Sequence, residues 1–416
     1  MIYDLIVVGG GAAGFFAAIE TASQKPKQKI IILEKSTKLL SKVRISGGGR
    51  CNVTHHTFEP SLLSKHYPRG QKEFKQLFRV FQASDTVTWF EQRGVELVTE
   101  ADGRMFPISD SSQTIIDCFM NEAEKAGIEI LTSSEVTDVG KVNDVFSVQC
   151  RNGKKYSSRN LLIAMGGHPQ PDAYRWIKSL GHTVIPPIPS LFTFNDPAKE
   201  FADLMGVAVQ DAEVKIAATK FSSRGPVLIT HWGLSGPAVI RLSAWAAQYL
   251  HELHYEFVAL VNWTGDQTEE TVRTLLKEKN RLDGRKKVYS HPMFQLSQRL
   301  WEKLCIKAEV PLQMLWAEVP AKQLNRLVEF LVRCPFQIRG KTTFKEEFVT
   351  CGGVDLKEID LTTMESKKMP GLYFAGEVLN VDGETGGFNF QSAWTTAYAA
   401  AQAIAIPHSE QTSNHL

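Results

Sequence analysis

The chain has 416 residues, of which 43% are hydrophobic and 22% charged, with a formal net charge of +2. That length and balance are ordinary for a globular protein of two or three domains with an ample core, which excludes a disordered chain. No apolar run approaches the roughly 20 residues needed to span a bilayer, and a strand begins too early to leave room for a leader, so a cytoplasmic protein is expected.

Asp4-Leu5-Ile6-Val7-Val8 reads as one buried strand. It runs into Gly9-Gly10-Gly11-Ala12-Ala13-Gly14, a G-x-G-x-x-G, and on into an Ala-rich helix from Phe15 to Ala22. A second strand, Lys29 to Leu33, ends on Glu34, 20 residues after the last glycine. Gly9 allows the tight turn, Gly11 lets a pyrophosphate approach the backbone, and Gly14 lets helix and strand close up. The helix N-terminus, led into by Ala12 and Ala13, offers free N–H groups and partial positive charge to that pyrophosphate. Glu34 can accept both hydroxyls of an adenosine ribose, and an acid there disfavours a 2′-phosphate, so NADP is not expected in this site. A glycine-rich turn without a ligand is the bland alternative. Strand, helix, second strand and acid in the right order favour a dinucleotide.

Lys35 to Asn52 reads as a loop of glycine and basic residues. Apolar spacing at Phe74, Leu77, Phe78 and Phe81 predicts helices, followed by a strand at Val95–Thr99. A helix is expected over Ser111–Ala126, then strands at Glu129–Leu131, Val136–Val139 and Val145–Cys150, and a short buried strand at Leu161–Ala164. Pro186-Pro187-Ile188-Pro189 looks like a domain exit. Beyond it, Glu213–Lys220, Val227–Thr230 and Tyr255–Asn262 read as a small β domain, and Thr268–Phe336 as helical. A strand near Glu347–Thr350, a strand at Gly371–Gly376 and a helix over Asn389–Ile404 complete the chain, with a loose polar tail after Pro407.

Charge is unevenly spread. Residues 267–345 carry 16 Lys+Arg against 8 Asp+Glu, whereas residues 190–266 carry 5 against 8, so the helical segment is a basic module. Six cysteines (51, 118, 150, 305, 334 and 351) lack C-x-x-C spacing, which points to reduced thiols and neither a zinc site nor a disulfide framework. His55-His56 reads as loop polarity rather than metal ligation, and no metal site is expected.

The strand ending Phe374-Ala375-Gly376-Glu377, in a chain that opens with G-x-G-x-x-G, resembles the closing motif of two-dinucleotide-binding flavoproteins. In those proteins the acid holds the ribityl chain of FAD and the next helix aims its N-terminus at the flavin pyrimidine. Three further runs narrow the resemblance: Ser46-Gly47-Gly48-Gly49-Arg50-Cys51-Asn52, His231-Trp232-Gly233-Leu234-Ser235-Gly236-Pro237, and Gly376 to Asn389. Together they resemble the bacterial HI0933-like flavoproteins, which include aminoacetone-oxidase-like enzymes and BaiN/YhiN-type reductases. Gly103-Arg104-Met105-Phe106-Pro107 and Thr363 to Lys367 agree, and the resemblance covers nearly the whole chain.

The resemblance implies an α/β fold: a discontinuous Rossmann-like FAD domain (1–188 with 346–408), an inserted β-barrel-like domain (189–266 with 337–345) and a helical subdomain (267–336). It implies FAD as resident cofactor, with NAD(P)H as a transient reductant. The activities it implies are oxidation of small amines, ene-type reduction, and reduction of uridine to dihydrouridine in ribosomal RNA. The expected partner is a small molecule or ribosomal RNA, with no DNA specificity and no membrane. One run departs from the family: after Ala164 the sequence reads Met165-Gly166-Gly167-His168, with Met for the usual Thr and a shortened loop to Tyr174.

Cofactor contacts are expected from the opening loop and Glu34, from Lys42, Arg44, Gly48, Gly49, Arg50, Cys51 and Asn52, and from Glu377. Arg44 and Arg50 would supply guanidinium groups to a pyrophosphate. Gly376, Gly386, Gly387, Phe388 and Asn389 would place the closing helix at the flavin, with Lys35, Val136, Ala164, Gly166 and Asp382 completing the set. Cys51 is a candidate acid for protonating a carbon, against the plainer reading of a buried filler. His231 is a second candidate, against a ring that merely braces a turn. Trp301, Trp316 and Phe294, among the basic residues of the insert, would suit base stacking on RNA.

Overall fold

The computed structural model describes residues 1–342 and 349–406. The start of the strand expected near Glu347 and the tail after Pro407 lie outside the described residues. Contacts divide the chain into two compact units, Met1–Ser190 with Lys345–Leu416, and Leu191–Phe344.

The first unit is built on a sheet whose parallel part runs Glu129–Leu131, Ile30–Leu33, Ile2–Val8 and Lys155–Ile163. Leu5, Ile6 and Val7 are fully buried, the continuous apolar run that a strand covered on both faces requires. Lys155–Ile163 serves two neighbours along one edge. Its first half pairs antiparallel with Val145–Cys150, and Leu161 to Ile163 take the closing strand Leu372–Phe374 in parallel. The helices Ala12–Gln24 and Phe388–Ala405 pack on each other, their alanines allowing close approach. Phe16 stacks on Trp89 at 4.6 Å between ring centres, filling the core beside them.

Two segments differ from their sequence reading. Lys35 to Asn52 contains helical backbone within Ser41–Gly49, broken where Ser46, Gly47 and Gly48 leave helical geometry. The proline cluster, read as a domain exit, lies in a strand, Val184–Ser190, antiparallel to Val349–Val354, and the first compact unit breaks off at its end. Its register shifts between Ile185 and Ile188, which takes Pro186 and Pro187 out of the ladder they cannot donate to.

The second unit holds an antiparallel sheet in the order Cys334–Arg339, Glu256–Asn262, Ala208–Ile216, Ser222–Ile229, Gly233–Ser235, Thr193–Asn195, Lys341–Thr342. Its two edge strands are separated in sequence by Gly340 alone, so the sheet must curl until its edges meet. Gly340 takes φ +85 at that junction, a conformation suited to glycine. The helices Glu269–Leu282, Gln298–Lys307 and Ala321–Val332 bury Val272, Leu304 and Leu331 in one core with Trp263 and Phe336 of the sheet side. Trp301 and Trp316 are wholly buried in that core, and the indole N–H of Trp301 donates to the carbonyl of Val288 at 2.8 Å. Phe294 is half-buried against the same core. The two tryptophans are therefore packing residues, which corrects the expectation of a stacking surface.

Candidate dinucleotide site

The three glycines of the opening loop have different surroundings. A Cβ on Gly9 would stand 2.4 Å from the Ala164 carbonyl oxygen, and one on Gly14 would stand 2.0 Å from the Gly9 carbonyl oxygen. A Cβ on Gly11 would meet none of the described residues within 4 Å. Gly9 and Gly14 thus let strand, helix and neighbouring strand close up, and Gly11 leaves open space. Gly11 is also the N-cap of its helix and brings no side-chain cap, so the first N–H groups at Ala12, Ala13 and Gly14 face an opening suited to an anion.

Glu34 stands at the end of its strand, its two oxygens accepting from the Gly10 and Ser36 N–H groups, both at 2.8 Å. Each oxygen keeps a further lone pair for a hydroxyl. Glu34 borders a cleft of about 470 Å³ that is also lined by Gly9, Lys35, Val136, Met165, His168 and Trp176. The structure thus gathers four expected contacts, Gly9, Glu34, Lys35 and Val136, around one concavity. Met165 and His168 of the shortened loop border it as well.

A second group forms where distant segments meet. Lys42 Nζ lies 2.5 Å from Glu377 Oε2, joining residues 335 apart. The Gly167 N–H donates to the same oxygen at 3.4 Å. Thr350 Oγ1 is buried beside them without a partner among the described residues, a polar atom aimed where a Cβ on Gly167 would stand. Gly166, Gly48 and Gly49 resemble Gly11 in that an added Cβ would meet none of the described residues within 4 Å. Gly376 and Gly386 also take positive φ. Open glycines, an uncapped helix start, paired carboxylate and ammonium groups and an unpartnered hydroxyl fit an extended, anionic, hydroxyl-rich dinucleotide.

The closing helix begins at Phe388 behind Gly387, whose Cβ would press within 2.5 Å of the Thr54 carbonyl oxygen. The Asn52 amide, oriented to satisfy both ends, accepts from the Gly387 N–H and donates to the Thr54 carbonyl, each at 3.0 Å. Asn389 braces the preceding turn, exchanging hydrogen bonds of 2.9 Å with the Gly383 backbone. Phe388 is buried, with His66 stacked on its ring at 4.2 Å and His55 at 4.7 Å. His66 Nδ1 lies 3.0 Å from Glu384 Oε2, while Nε2 has no partner among the described residues. His55 is engaged at both ring nitrogens, by Thr57 and the Asp102 carbonyl, and burial lowers its pKa.

Several expected contacts have other work. Arg50 pairs with Glu100 at 2.7 Å and Asp110 at 3.3 Å, and its guanidinium lies 4.0 Å over the Phe106 ring. Arg44 donates to Gln113 at 2.8 Å. These guanidinium groups serve neighbouring residues, because local acceptors lie within reach of both. Asp382 is fully buried under a fork from Arg69, with the Ser190 hydroxyl donating at 2.6 Å. Burial pushes the Asp382 carboxyl up, and Arg69 and Ser190 oppose that by stabilising its charge. Cys51 has no exposed surface, and burial pushes its thiol up to about 12, so the geometry supports a filler. All six cysteines are free and buried. His231 belongs to the second unit, where it is exposed beside Trp232.

Sequence reading missed Arg69, His66 and Thr350. Arg69 meets Asp382 across 313 residues and His66 meets Glu384 across 318, separations that no local pattern signals.

Among the described residues no helix is long and apolar enough to cross a membrane. Residues 3–403 match the family described as HI0933-like protein Rossmann domain. The chain is 32% identical over 414 residues to the ribosomal RNA dihydrouridine synthase of Escherichia coli K12, covering 96% of this chain and 97% of that protein. It is 26% identical over 414 residues to the 3-dehydro-bile acid delta(4,6)-reductase of Clostridium scindens, covering 96% and 98%. A solved 3-ketosteroid-delta4-(5alpha)-dehydrogenase from Rhodococcus jostii aligns with a TM-score of 0.53 over 97% of both chains at 12% identity, a likeness of fold alone. The chain therefore belongs to the HI0933-like family of FAD-dependent oxidoreductases.

Proposed function

We propose that this protein is an NAD(P)H-driven reductase of an activated C=C bond, acting in the cytosol on uridine in ribosomal RNA. The observation that carries this reading is the likeness, over nearly the full length of both chains, to a protein named for dihydrouridine synthesis in ribosomal RNA. The Clostridium scindens relative is also named as a reductase. When bound and reduced, FAD supplies the hydride.

The chain's own residues would bind and orient. The N–H groups at Ala12 to Gly14 would take the pyrophosphate, Glu34 the adenosine ribose, and Glu377 with Lys42 the ribityl chain. The positive-φ pair Gly386–Gly387 would bring backbone close to the flavin ring. We assign the proton for the second carbon to His66 rather than Cys51. Glu384 fixes the imidazole at Nδ1 and Phe388 fixes its plane, leaving Nε2 for the transfer.

Anaerobic bleaching of the flavin band by NADPH or NADH, together with loss of dihydrouridine from the ribosomal RNA of a deletion strain, tests the reading. Peroxide from aminoacetone-like amines with indifference to NADPH would replace it with an amine oxidase, and absence of turnover with every donor would replace it with a binding protein. His66→Ala is expected to lower turnover about 10²–10⁴-fold while NADPH still bleaches the flavin. Cys51→Ala is expected to retain turnover, and the reverse pattern overturns the assignment.

A further inference from the structure

The basic segment of the second unit resolves into cations that are spent and cations that are free. Arg273, Lys303, Lys307 and Arg326 each hold a carboxylate, on Glu269, Asp203, Glu200 and Glu309. The stretch from Lys277 to Lys287 is different, with six basic residues against Glu278 and Asp283. Lys279 and Lys286 consume Asp283, holding its carboxyl down at about 2. Lys277, Arg281, Arg285 and Lys287 are exposed and have no acidic partner among the described residues. Leu282 in their midst is 68% exposed.

This knuckle is held in place. Lys277 and Arg281 are one helical turn apart on Glu269–Leu282, whose Val272 and Leu276 anchor it in the core. The following turn is tied by backbone hydrogen bonds: the Ala317 N–H to Gly284 at 3.0 Å, the Trp316 N–H to Lys286 at 3.0 Å, and the Val288 N–H to Met314 at 3.1 Å. Asn280 donates to the Trp316 carbonyl from the helix side. Four unneutralised cations on a backbone fixed to a buried tryptophan form a preorganised polyanion surface. With Trp301 and Trp316 buried, such a surface reads phosphates rather than stacked bases.

We propose that Lys277, Arg281, Arg285 and Lys287 dock the phosphate backbone of the ribosomal RNA substrate, an inference that rests on the reductase reading for the identity of that RNA. The test uses full-length, FAD-loaded protein and protein-free transcripts of the large ribosomal RNAs, with equilibrium binding measured across a salt series. For K277A/R281A/R285A/K287A the slope of log K against log salt should become shallower by about 3, with binding weakened at least about tenfold at low salt. The single variants Lys277→Ala and Lys287→Ala should each remove about 0.7–0.9 of that slope. K154A/K155A, two cations of a hairpin in the first unit, should leave it unchanged. Wild-type slope and affinity in the quadruple variant, or an equal loss in the hairpin control, overturns the proposal. It is also overturned if the quadruple variant loses binding to anionic phospholipid vesicles while keeping RNA binding. Binding is read without turnover, so absence of NADPH bleaching or of dihydrouridine refutes the reductase reading separately.

Discussion

The two units differ in where their most concentrated charge lies. In the first, cations are turned onto acids supplied by distant segments: Lys42 on Glu377, Arg69 on Asp382, Arg50 on Glu100. In the second, the strongest local excess of cations stands at the surface around Arg281 and Arg285, its one buried-side acid already consumed. Paired charge fixes where chain segments lie, whereas unpaired charge is available to a partner. A residue count cannot distinguish the two, because both raise the Lys and Arg total equally.

Breaking a pair in the first unit should therefore be costly. Asp382→Ala takes the counter-charge from the largely covered Arg69, and a loss of about 3–5 kcal/mol in denaturant unfolding is expected. R69M/D382L, which removes both charges, should recover much of it. Next in size is the contrast between two glycines of one motif. Gly14→Ala forces a methyl against the Gly9 carbonyl and should cost at least about 1–3 kcal/mol. Gly11→Ala has room for its methyl and should melt like the wild-type apoprotein, yet purify with less flavin by absorbance. If both variants melt alike, the division between packing glycine and ligand glycine is wrong.

In the second unit K277A/R281A/R285A/K287A should change the unfolding free energy by no more than about 0.5 kcal/mol per substitution, since surface side chains without acidic partners hold little together. The smallest effect concerns Asp283. Its carboxyl titrates at about 2 in the fold, below its unfolded value, so its contribution is present above about pH 4 and fades as pH falls towards 2. Asp283→Asn should remove that part of the acid dependence of stability, with no change at pH 7 to 8 beyond the lost ion pairs.

Where sequence reading succeeded, the signal was local. Glu129–Leu131 and Val145–Cys150 form strands at the expected bounds because alternation and a turn sequence lie within a few residues of each other. The opening loop was legible for the same reason, down to the turn at Gly9 and the close packing at Gly14. Failures came where the deciding partner is remote. Nothing near Arg69 announces Asp382, and nothing near Trp316 announces that a helix will cover it. The prolines mark the boundary at Ser190 but hide the strand that carries them, which depends on a bulge and on Val349–Val354, more than 150 residues later. The glycines beside Arg50 in sequence say nothing of Glu100 and Phe106, its neighbours in space.

The closing strand Leu372–Phe374 and the helix after it set the order in which the two units can be finished as the chain leaves the ribosome. The second unit has every described strand in hand by Thr342, while the first must wait for residues up to Ala405 to complete its sheet and cover it. Synthesis at about 5–20 residues per second leaves the opening helix Ala12–Gln24 without its last partner, Phe388–Ala405, for roughly 20–80 seconds. The unit begun first is completed last, and Ser190, paired with Val349, marks where the interrupted work resumes.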